Sequence, residues 1–566
     1  MTTNSRHIQY AKKKLKYFLV GHVPIFLLFF AAAFLLQWVG GAYKADFGGH
    51  SDEGAHYVTG LMVRDYVASG HLTSPMRFAE EYYVHYPKVA LGHWPPVFYL
   101  VQSAWTLPFS PSRTSILLLM AFLTALLAAS VCSVIRSDFG IQAGMAAGLL
   151  LVSLPLIQLY TNMVMGESLL TLLMFLAVLS FGRYIDTERW QDTVKFGAIA
   201  SIAILTKQGA LSLALVPPIA LLLSRRLYLL LRPSFWYPAV IVGLLCGPWY
   251  LKTSQMAQQG LPDLVSTHLE GSGWLLRAAR FFSWGVVKIT GVGLSLLIAA
   301  GFIARLVKAY QGMKVGGKWA AAGALILSVL LLQSLVPTDF DPRYLIPTAP
   351  ALLMFFVAGV AWTSERLPLK GLSLRQKTVA LALVAALIYA GETFTIPRKS
   401  DHGFTKVAQD LLNKQQFQRS VFMISSDTNG EGAFISEVAR METRPGHVVL
   451  RAFKVLSRYR GGRRENIFQT TSQIMDYLDS IPVGILVMNT TPDAMSLEHH
   501  QQLMQTVKDF PERWELLGSY PGRVKGGVPP SQVLVYRLVG HEGRPVNKIE
   551  LDLQHMLNRS LELDQN

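Results

Sequence analysis

The stretch DFGGHSDEGAHY, residues 46–57, places two adjacent carboxylates, Asp52 and Glu53, shortly after a long apolar run. A carboxylate held at a membrane surface can act as a general base, and a second one beside it can orient a partner hydroxyl group. The alternative interpretation is a solvated turn in a glycine-rich loop. The residue types therefore admit acid–base chemistry on hydroxyl groups next to the bilayer.

Other charged residues also lie beside apolar runs, where a charge is costly and often has a function. Arginine in particular can hold a phosphate through two parallel hydrogen bonds. Structural interpretations stay open, because Glu167 can stabilise a helix N-terminus and Lys88 and Lys207 can extend to the interface. Arg343 can pair with a neighbouring acid. The full set is Asp52, Glu53, Lys88, His93, Glu167, Lys207, Asp339, Asp341 and Arg343.

The composition places these residues in a membrane protein. Of 566 residues, 51% are hydrophobic and 16% are charged, which is atypical of soluble globular proteins. Apolar runs long enough to cross the hydrocarbon core recur through the first two thirds. The fifth and sixth runs meet at TKQG and can equally form one broken helix. We predict an α-helical polytopic protein with about eleven spans, at 18–40, 113–135, 142–160, 167–184, 194–206, 209–224, 235–251, 286–304, 319–336, 343–362 and 377–396.

The distribution of Lys and Arg predicts the orientation, because short cytoplasmic loops collect these residues. With the N-terminus inside, every inside loop is basic, beginning with Lys12, Lys13, Lys14 and Lys16. The alternate loops around 160–167 and 337–344 carry acids. We therefore expect a cytoplasmic tail at 1–17, a membrane domain at 18–396 with an extracytoplasmic loop at 41–112, and an extracytoplasmic domain at 397–566.

The distribution of the basic residues and the spacing of the cysteines exclude some functions. The formal net charge is +16, but the basic residues lie between apolar runs, so no nucleic-acid partner is expected. The two cysteines, Cys132 and Cys246, show no metal-binding spacing. A divalent cation remains a candidate cofactor, because Asp52, Glu53 and Glu167 could converge on one ion.

The C-terminal region is predicted to be an α/β domain. Short apolar strands at 420–426, 483–490 and 532–539 alternate with helical patterns. The sequence SSDTNGEGAF after the first strand resembles a dinucleotide-binding loop, but Ile435 stands where the third glycine would be needed. We therefore do not predict nucleotide binding there.

The order of several short motifs resembles that of the GT-C glycosyltransferases. These motifs are SDEGAHY, a Pro-Lys pair and PPVFYL in the same loop, MGESLLTLLMFLA, LTKQGAL, GPWYLKT and DPRYLIPTAPALL, within residues 15–395. The likeness is greatest to protein O-mannosyltransferases and the aminoarabinose transferases of lipid A. Because the C-terminal region does not resemble the β-trefoil insertion of the mannosyltransferases, a lipid, a glycan and a protein all stay open as acceptors.

The resemblance implies a polyprenyl-phosphate sugar as donor and transfer on the outer face of the plasma membrane with inversion. Asp52 would be the general base, and Glu53 and Glu167 would bind or orient the acceptor or the donor. Lys88 and Arg343 would hold the donor phosphate. Lys207 is expected to join them, and the candidate substrate contacts are His56, Tyr57 and His93. The alternative function is a transporter or flippase of lipid-linked sugars, but the charges gather at one rim and no internal repeat is visible.

Overall fold

A computed structural model describes most of the chain. The residues outside the description are 1–2, 71–72, 91, 270–272, 308–314, 337–339, 367–372, 393–398, 400, 461–462, 482, 523–530, 542–547, 553–559 and 565–566. Asp339, one of the acids singled out in the sequence, is among them.

The described residues before position 393 are almost entirely helical, in agreement with the predicted fold class. Several of the helices, including those that begin at Pro75 and Pro155, have proline at their first or second position, where the missing N–H costs no hydrogen bond, and the helix that begins at Arg113 is capped by the Ser112 side chain. The α-helices are α1 Thr3–Gly40, α2 Glu53–Ser69, α3 Pro75–His85, α4 Val97–Phe109, α5 Arg113–Phe139, α6 Ile141–Ser153, α7 Pro155–Thr161, α8 Glu167–Thr187, α9 Trp190–Ile204, α10 Val216–Ser224, α11 Pro233–Leu269, α12 Trp274–Phe302, α13 Gly317–Leu335, α14 Ala349–Ser364 and α15 Leu374–Glu392.

Seven segments of the described chain are long and apolar enough to cross a membrane. An eighth is the pair α6 and α7, which is bent by 63° at the break before Pro155. Shorter apolar helices cover Gln208–Ser224 and Val379–Gly391. Each of the eleven predicted runs coincides with one of these segments or, for 194–206, with α9. The chain is therefore a multi-pass membrane protein.

The predicted break at TKQG is present. Helix α9 ends at Ile204, Lys207 has an extended backbone, and a 3₁₀ helix follows at Gln208–Leu215. A second 3₁₀ segment, Pro342–Thr348, leads into α14. The two irregular segments place Lys207 and Arg343 at helix ends, where their side chains can reach neighbouring loops.

The C-terminal region is α/β, as predicted. Its helices are α16 Phe404–Leu412, α17 Thr428–Met441, α18 Ala452–Val455, α19 Thr471–Ser480, α20 Pro492–Met495 and α21 Glu498–Asp509. Its strands are β1 Val421–Ser425, β2 Val449–Arg451, β3 Ser457–Arg460, β4 Arg463–Asn466, β5 Val483–Asn489, β6 Trp514–Pro521, β7 Gln532–Leu538, β8 Lys548–Asp552 and β9 Ser560–Asp564.

Five of these strands form one mixed sheet in the order β2-β1-β5-β7-β6. Strands β2 and β5 run parallel to β1 on its two sides, whereas β7 is antiparallel to both β5 and β6. The three predicted strands correspond to β1, β5 and β7. The edge strand β6 carries Trp514, which belongs to the core of the domain, and Tyr520, which packs against that core.

One hydrophobic core joins the first loop to the C-terminal sheet. Phe47, Tyr57 and Tyr82 of the loop belong to the same buried cluster as Phe422 and Val487 of the sheet. A separate cluster fills the bundle of membrane helices. The loop and the C-terminal region are therefore packed as one unit.

A close backbone approach within this unit joins α2 to α17. A Cβ atom at Gly54 would lie 2.6 Å from the carbonyl oxygen of Gly432, and the Ser436 hydroxyl donates to the Gly54 carbonyl at 3.3 Å. Only a residue without a side chain allows this separation.

Replacing Gly54 with alanine is therefore expected to push α2 away from α17 and to destabilise the protein by about 1–3 kcal/mol. Thermal unfolding of the purified protein measures the effect. Gly243→Ala is the control, because nothing lies within 4 Å of a Cβ atom there. An equal melting temperature for Gly54→Ala and the parent protein would contradict the close packing.

Candidate active site

Asp52 forms an ion pair with Arg343, which comes from the segment before α14. Arg343 Nη1 donates to Asp52 Oδ2 at 2.8 Å, and Arg343 Nε lies 3.3 Å from Asp341 Oδ2. The His50 ring lies between the two acids, 3.7 Å from Asp52 and 3.8 Å from Asp341. The guanidinium group therefore holds two carboxylates at the N-terminal end of α2.

This pairing decides the protonation of Asp52. Burial alone would raise the pKa of Asp52, but the charge and hydrogen bond of Arg343 outweigh it and, with His50 and His56, lower the pKa to about 2. The carboxylate is therefore ionised at neutral pH. A general base works best when its pKa lies near the operating pH, so the paired Asp52 is a weak base.

Glu167 is paired in the same way with Lys207. Glu167 is the first residue of α8 and is buried, and Lys207 Nζ donates to its Oε1. Its Oε2 is also buried but has no hydrogen-bond partner within the described chain. Buried polar atoms are rarely left unpaired, so this oxygen is available to a hydroxyl group of a ligand.

His56 lies between the two ion pairs. Burial lowers the pKa of His56 to about 3, with Lys207 and Arg343 lowering it and Asp52 and Glu167 raising it. All four charges therefore lie close to one imidazole, which is neutral. His56 Nδ1 lies 2.9 Å from the Tyr99 hydroxyl oxygen, so the ring is held in the wall of the site.

Glu53 points away from this cluster and connects three chain segments. Its Oε2 accepts from the Gly49 backbone at 2.9 Å, and its Oε1 accepts from the Val164 backbone at 3.2 Å and from Lys399 Nζ. The side chains of Glu53 and Lys399 are 0% and 3% exposed. Both oxygens of Glu53 are therefore occupied by protein donors.

Lys88 lies on the other side of Asp52, against the C-terminal region. Its Nζ donates to the carbonyl oxygens of Ser51 at 3.2 Å and Thr428 at 3.1 Å. Burial lowers the pKa of Lys88 to about 7, and nearby Arg451 adds to the effect. Unlike Arg343 and Lys207, Lys88 is hydrogen-bonded to neutral groups.

The remaining two candidate substrate contacts are less central. The Tyr57 ring stacks on Phe47 with centroids 4.1 Å apart, and its hydroxyl donates to the Pro111 carbonyl, so this side chain belongs to the core. The His93 side chain is exposed, and its carbonyl accepts from Gln208 Nε2 at 3.1 Å, one residue from Lys207. The structure therefore brings His93, but not Tyr57, to the rim of the cluster.

Two partners of the acids were missed in the sequence. His50 stands inside the stretch DFGGHSDEGAHY and lies between Asp52 and Asp341, so its presence next to the acids was a usable signal. Lys399 follows the last apolar run, and nothing in its local sequence indicates a contact with Glu53, 346 residues away.

The three acids do not converge on a common point. Asp52, Glu53 and Glu167 pair with Arg343, Lys399 and Lys207 respectively. Across the residues that the structure describes, no group of three His, Cys, Asp or Glu side chains is arranged to hold a metal ion.

Comparison with known proteins shows what this architecture is similar to. The sequence model of the dolichyl-phosphate-mannose-protein mannosyltransferases matches residues 93–251, less than a third of the chain. The crystal structure of ArnT from Cupriavidus metallidurans bound to undecaprenyl phosphate aligns with 92% of this chain and 99% of its own, at 16% identity and a TM-score of 0.54. The apo form aligns with 92% of this chain and 98% of its own, at 15% identity and a TM-score of 0.55.

The chain has the GT-C fold. Archaeal AglB from Archaeoglobus fulgidus, an oligosaccharyltransferase, also shares it, covering 84% of this chain and 70% of its own at 11% identity and a TM-score of 0.51. No curated protein sequence matches the chain significantly. The GT-C resemblance seen in the motifs is thus confirmed at the level of fold, and the neighbours by sequence model and by fold are glycosyltransferases.

Proposed function

We propose that this protein is a membrane glycosyltransferase that moves a sugar from a polyprenyl-phosphate donor to an acceptor hydroxyl group, with Asp52 as the general base. The observation that carries the proposal is the clustering of two acid–cation pairs, Asp52 with Arg343 and Glu167 with Lys207, around one buried imidazole. The GT-C fold supports it, since ArnT was crystallised with undecaprenyl phosphate.

The proposed reaction is a single displacement at the anomeric carbon. Asp52 takes the proton of the acceptor hydroxyl as its oxygen forms the new bond, and the bond between the anomeric carbon and the phosphate oxygen breaks. The polyprenyl phosphate leaves with the electron pair. Attack opposite the leaving group inverts the anomeric centre. Arg343 and Lys207 stabilise the negative charge on the departing phosphate.

Lys88 is proposed as the third phosphate contact. Its partners are two neutral carbonyls, and a charge-assisted bond to phosphate is stronger than a bond to a neutral acceptor. The unpaired Oε2 of Glu167 is proposed to orient a sugar hydroxyl, and Glu53 to position the base through Gly49 and Val164.

In this scheme the donor phosphate and the Asp52 carboxylate compete for the guanidinium group of Arg343. When the phosphate takes Arg343, the pKa of Asp52 rises and the base becomes stronger. Replacing Arg343 with glutamine is therefore expected to move the acid limb of the pH–rate profile upward by about 1–3 pH units.

Measurement of transfer rates between pH 3 and 8 tests this expectation, because the rate of the parent protein should show no acid limb in this range whereas that of Arg343→Gln should. Arg366→Gln, an exposed arginine at the far end of α14, is the control. If the acid limb lies at the same pH in Arg343→Gln and in the parent protein, Arg343 does not control the pKa of Asp52.

The orientation and the division of the chain are part of the proposal. Residues 1–17 are assigned to the cytoplasm, 18–396 to the plasma membrane and 397–566 to the extracytoplasmic face. The exposed Glu81 on α3 allows a test, since Cys132 and Cys246 are buried. A Glu81→Cys variant should react with a membrane-impermeant maleimide in intact cells. Reaction only after lysis would place the loop in the cytosol.

The function is tested with purified protein in lipid nanodiscs and a radiolabelled undecaprenyl-phosphate sugar. Incubation with extracted envelope lipids, glycans and proteins should move label from the donor to an acceptor. In sealed vesicles, movement of the labelled donor between leaflets without attachment to any acceptor would support a flippase instead.

A further inference from the structure

A groove between α1 and α5 lies at the end of the membrane bundle that is remote from the proposed active site. Gln37 Nε2 donates to the Leu117 carbonyl at 3.0 Å near one end of the helix pair, and His22 Nε2 lies 3.2 Å from Arg136 Nη2 near the other. The two helices are therefore antiparallel. Asp52 follows the far end of α1, so the contact between His22 and Arg136 is on the opposite side of the membrane domain.

The groove has the size and lining of a site for a hydrocarbon chain. Its volume is about 420 Å³, and ligand pockets typically measure about 300–1,000 Å³. Ile25 and Phe26 of α1 and Phe122 and Leu126 of α5 line it. The Phe26 and Phe122 rings meet edge to face with centroids 5.2 Å apart. All four side chains are partly exposed, so the groove is open to the surrounding membrane.

Polar groups line one end of the groove. Arg136 and His22 lie there, and Ser133, one helical turn before Arg136, adds an exposed hydroxyl group. The hydrogen-bond partner of the Arg136 guanidinium group is the His22 imidazole, which is not an anion in its neutral form. A guanidinium group can hold a phosphate through two parallel hydrogen bonds. This end therefore suits the phosphate of a lipid whose chain occupies the groove.

The charge around this end of the groove is positive. No acid precedes Asp46 in the chain, and segment 12–16 supplies four lysines to α1 shortly before His22. Asp138, the acid next to Arg136 in the sequence, is paired with Lys318 Nζ at 2.6 Å. Basic residues between membrane helices attract anionic lipid headgroups. The same charges repel the ammonium group of a zwitterionic lipid.

We propose that the groove between α1 and α5 binds one anionic glycerophospholipid, with its phosphate on Arg136 and an acyl chain against Phe26 and Phe122. Only 22% of the apolar span of α1 is buried inside the protein, so a lipid that contacts both helices would hold α1 on the bundle. The orientation proposed above assigns this lipid to the cytoplasmic leaflet. Binding itself does not depend on that orientation or on the proposed reaction.

Lipid titration by native mass spectrometry of the full-length protein in detergent micelles tests the proposal. Dioleoyl phosphatidylglycerol is expected to bind at least about tenfold more tightly than dioleoyl phosphatidylcholine. Arg136→Gln should abolish this preference, because it removes the charge that holds the phosphate. Ala129→Phe should weaken the binding of phosphatidylglycerol without changing any charge, since its ring would fill the groove. Both variants should lose the rise in melting temperature that phosphatidylglycerol gives the parent protein.

Arg183→Gln is the matched control, because Arg183 is exposed near the end of α8 and does not line the groove. It should bind phosphatidylglycerol as the parent protein does. Equal affinity of the parent protein for the two lipids, or unchanged affinity in Arg136→Gln, would overturn the proposal. An equal loss in Arg183→Gln would show a general attraction to basic residues and would overturn it too. Displacement of phosphatidylglycerol by equimolar undecaprenyl phosphate would assign the groove to a different lipid and reject the glycerophospholipid.

Discussion

Replacing Asp52 with asparagine is expected to lower the rate of sugar transfer by about 10²–10⁴-fold, the usual contribution of a general base. Asparagine keeps the size of the side chain but cannot take the proton of the acceptor hydroxyl. Arg343 retains Asp341 as a charged partner, so the variant should insert and fold. The rate of label transfer from a polyprenyl-phosphate sugar measures the loss.

Asp341→Asn is the matched control, because it removes the other carboxylate that Arg343 contacts. It should retain most of the activity. The melting temperatures of both variants should stay near that of the parent protein. If Asp52→Asn transfers sugar at a similar rate to Asp341→Asn, Asp52 is not the base.

Replacing Lys399 with methionine is expected to destabilise the protein by about 3–5 kcal/mol, the cost of leaving a buried charge without its partner. Glu53 is fully buried and Lys399 supplies its only charged contact in the described chain. Since Glu53 also holds Gly49 and Val164, the loop before Asp52 and the loop before Glu167 should loosen together. Thermal unfolding and proteolysis of the first loop report the change.

The double variant Glu53→Gln with Lys399→Met separates charge from packing. It removes both charges and keeps acceptor and donor atoms at position 53, so it should recover most of the lost stability. Lys406→Met, an exposed lysine on α16, should have no effect. A single Lys399→Met variant as stable as the Lys406→Met control would show that the ion pair contributes nothing.

The membrane helices were predictable because hydropathy is a local property. Within the described residues each predicted run coincides with helical segments, although 142–160 is a bent pair and 209–224 and 343–362 begin with 3₁₀ turns, and even the break at TKQG is visible in the sequence. Strand β6 was missed because it lies at the edge of the sheet. Trp514 is buried but most of the strand is partly or fully exposed, so WELLGSYP shows neither an apolar run nor regular alternation.

The sequence indicated the members of the candidate site but not how they pair. Residue type and position relative to the apolar runs were enough to select Asp52, Glu167, Lys207 and Arg343. Their pairing was not, because Asp52 and Arg343 are 291 residues apart and no local pattern reports such a contact. The same limit explains why Glu53 was expected to touch a substrate, although its oxygens are engaged by protein donors.

The common hydrophobic core of the loop and the C-terminal sheet constrains how such proteins can diversify. Side chains from positions 47–89 interlock with those of the sheet, so neither half has a complete interior of its own. Hybrid proteins assembled from two relatives are therefore expected to fold only when the first loop and the C-terminal domain come from the same relative.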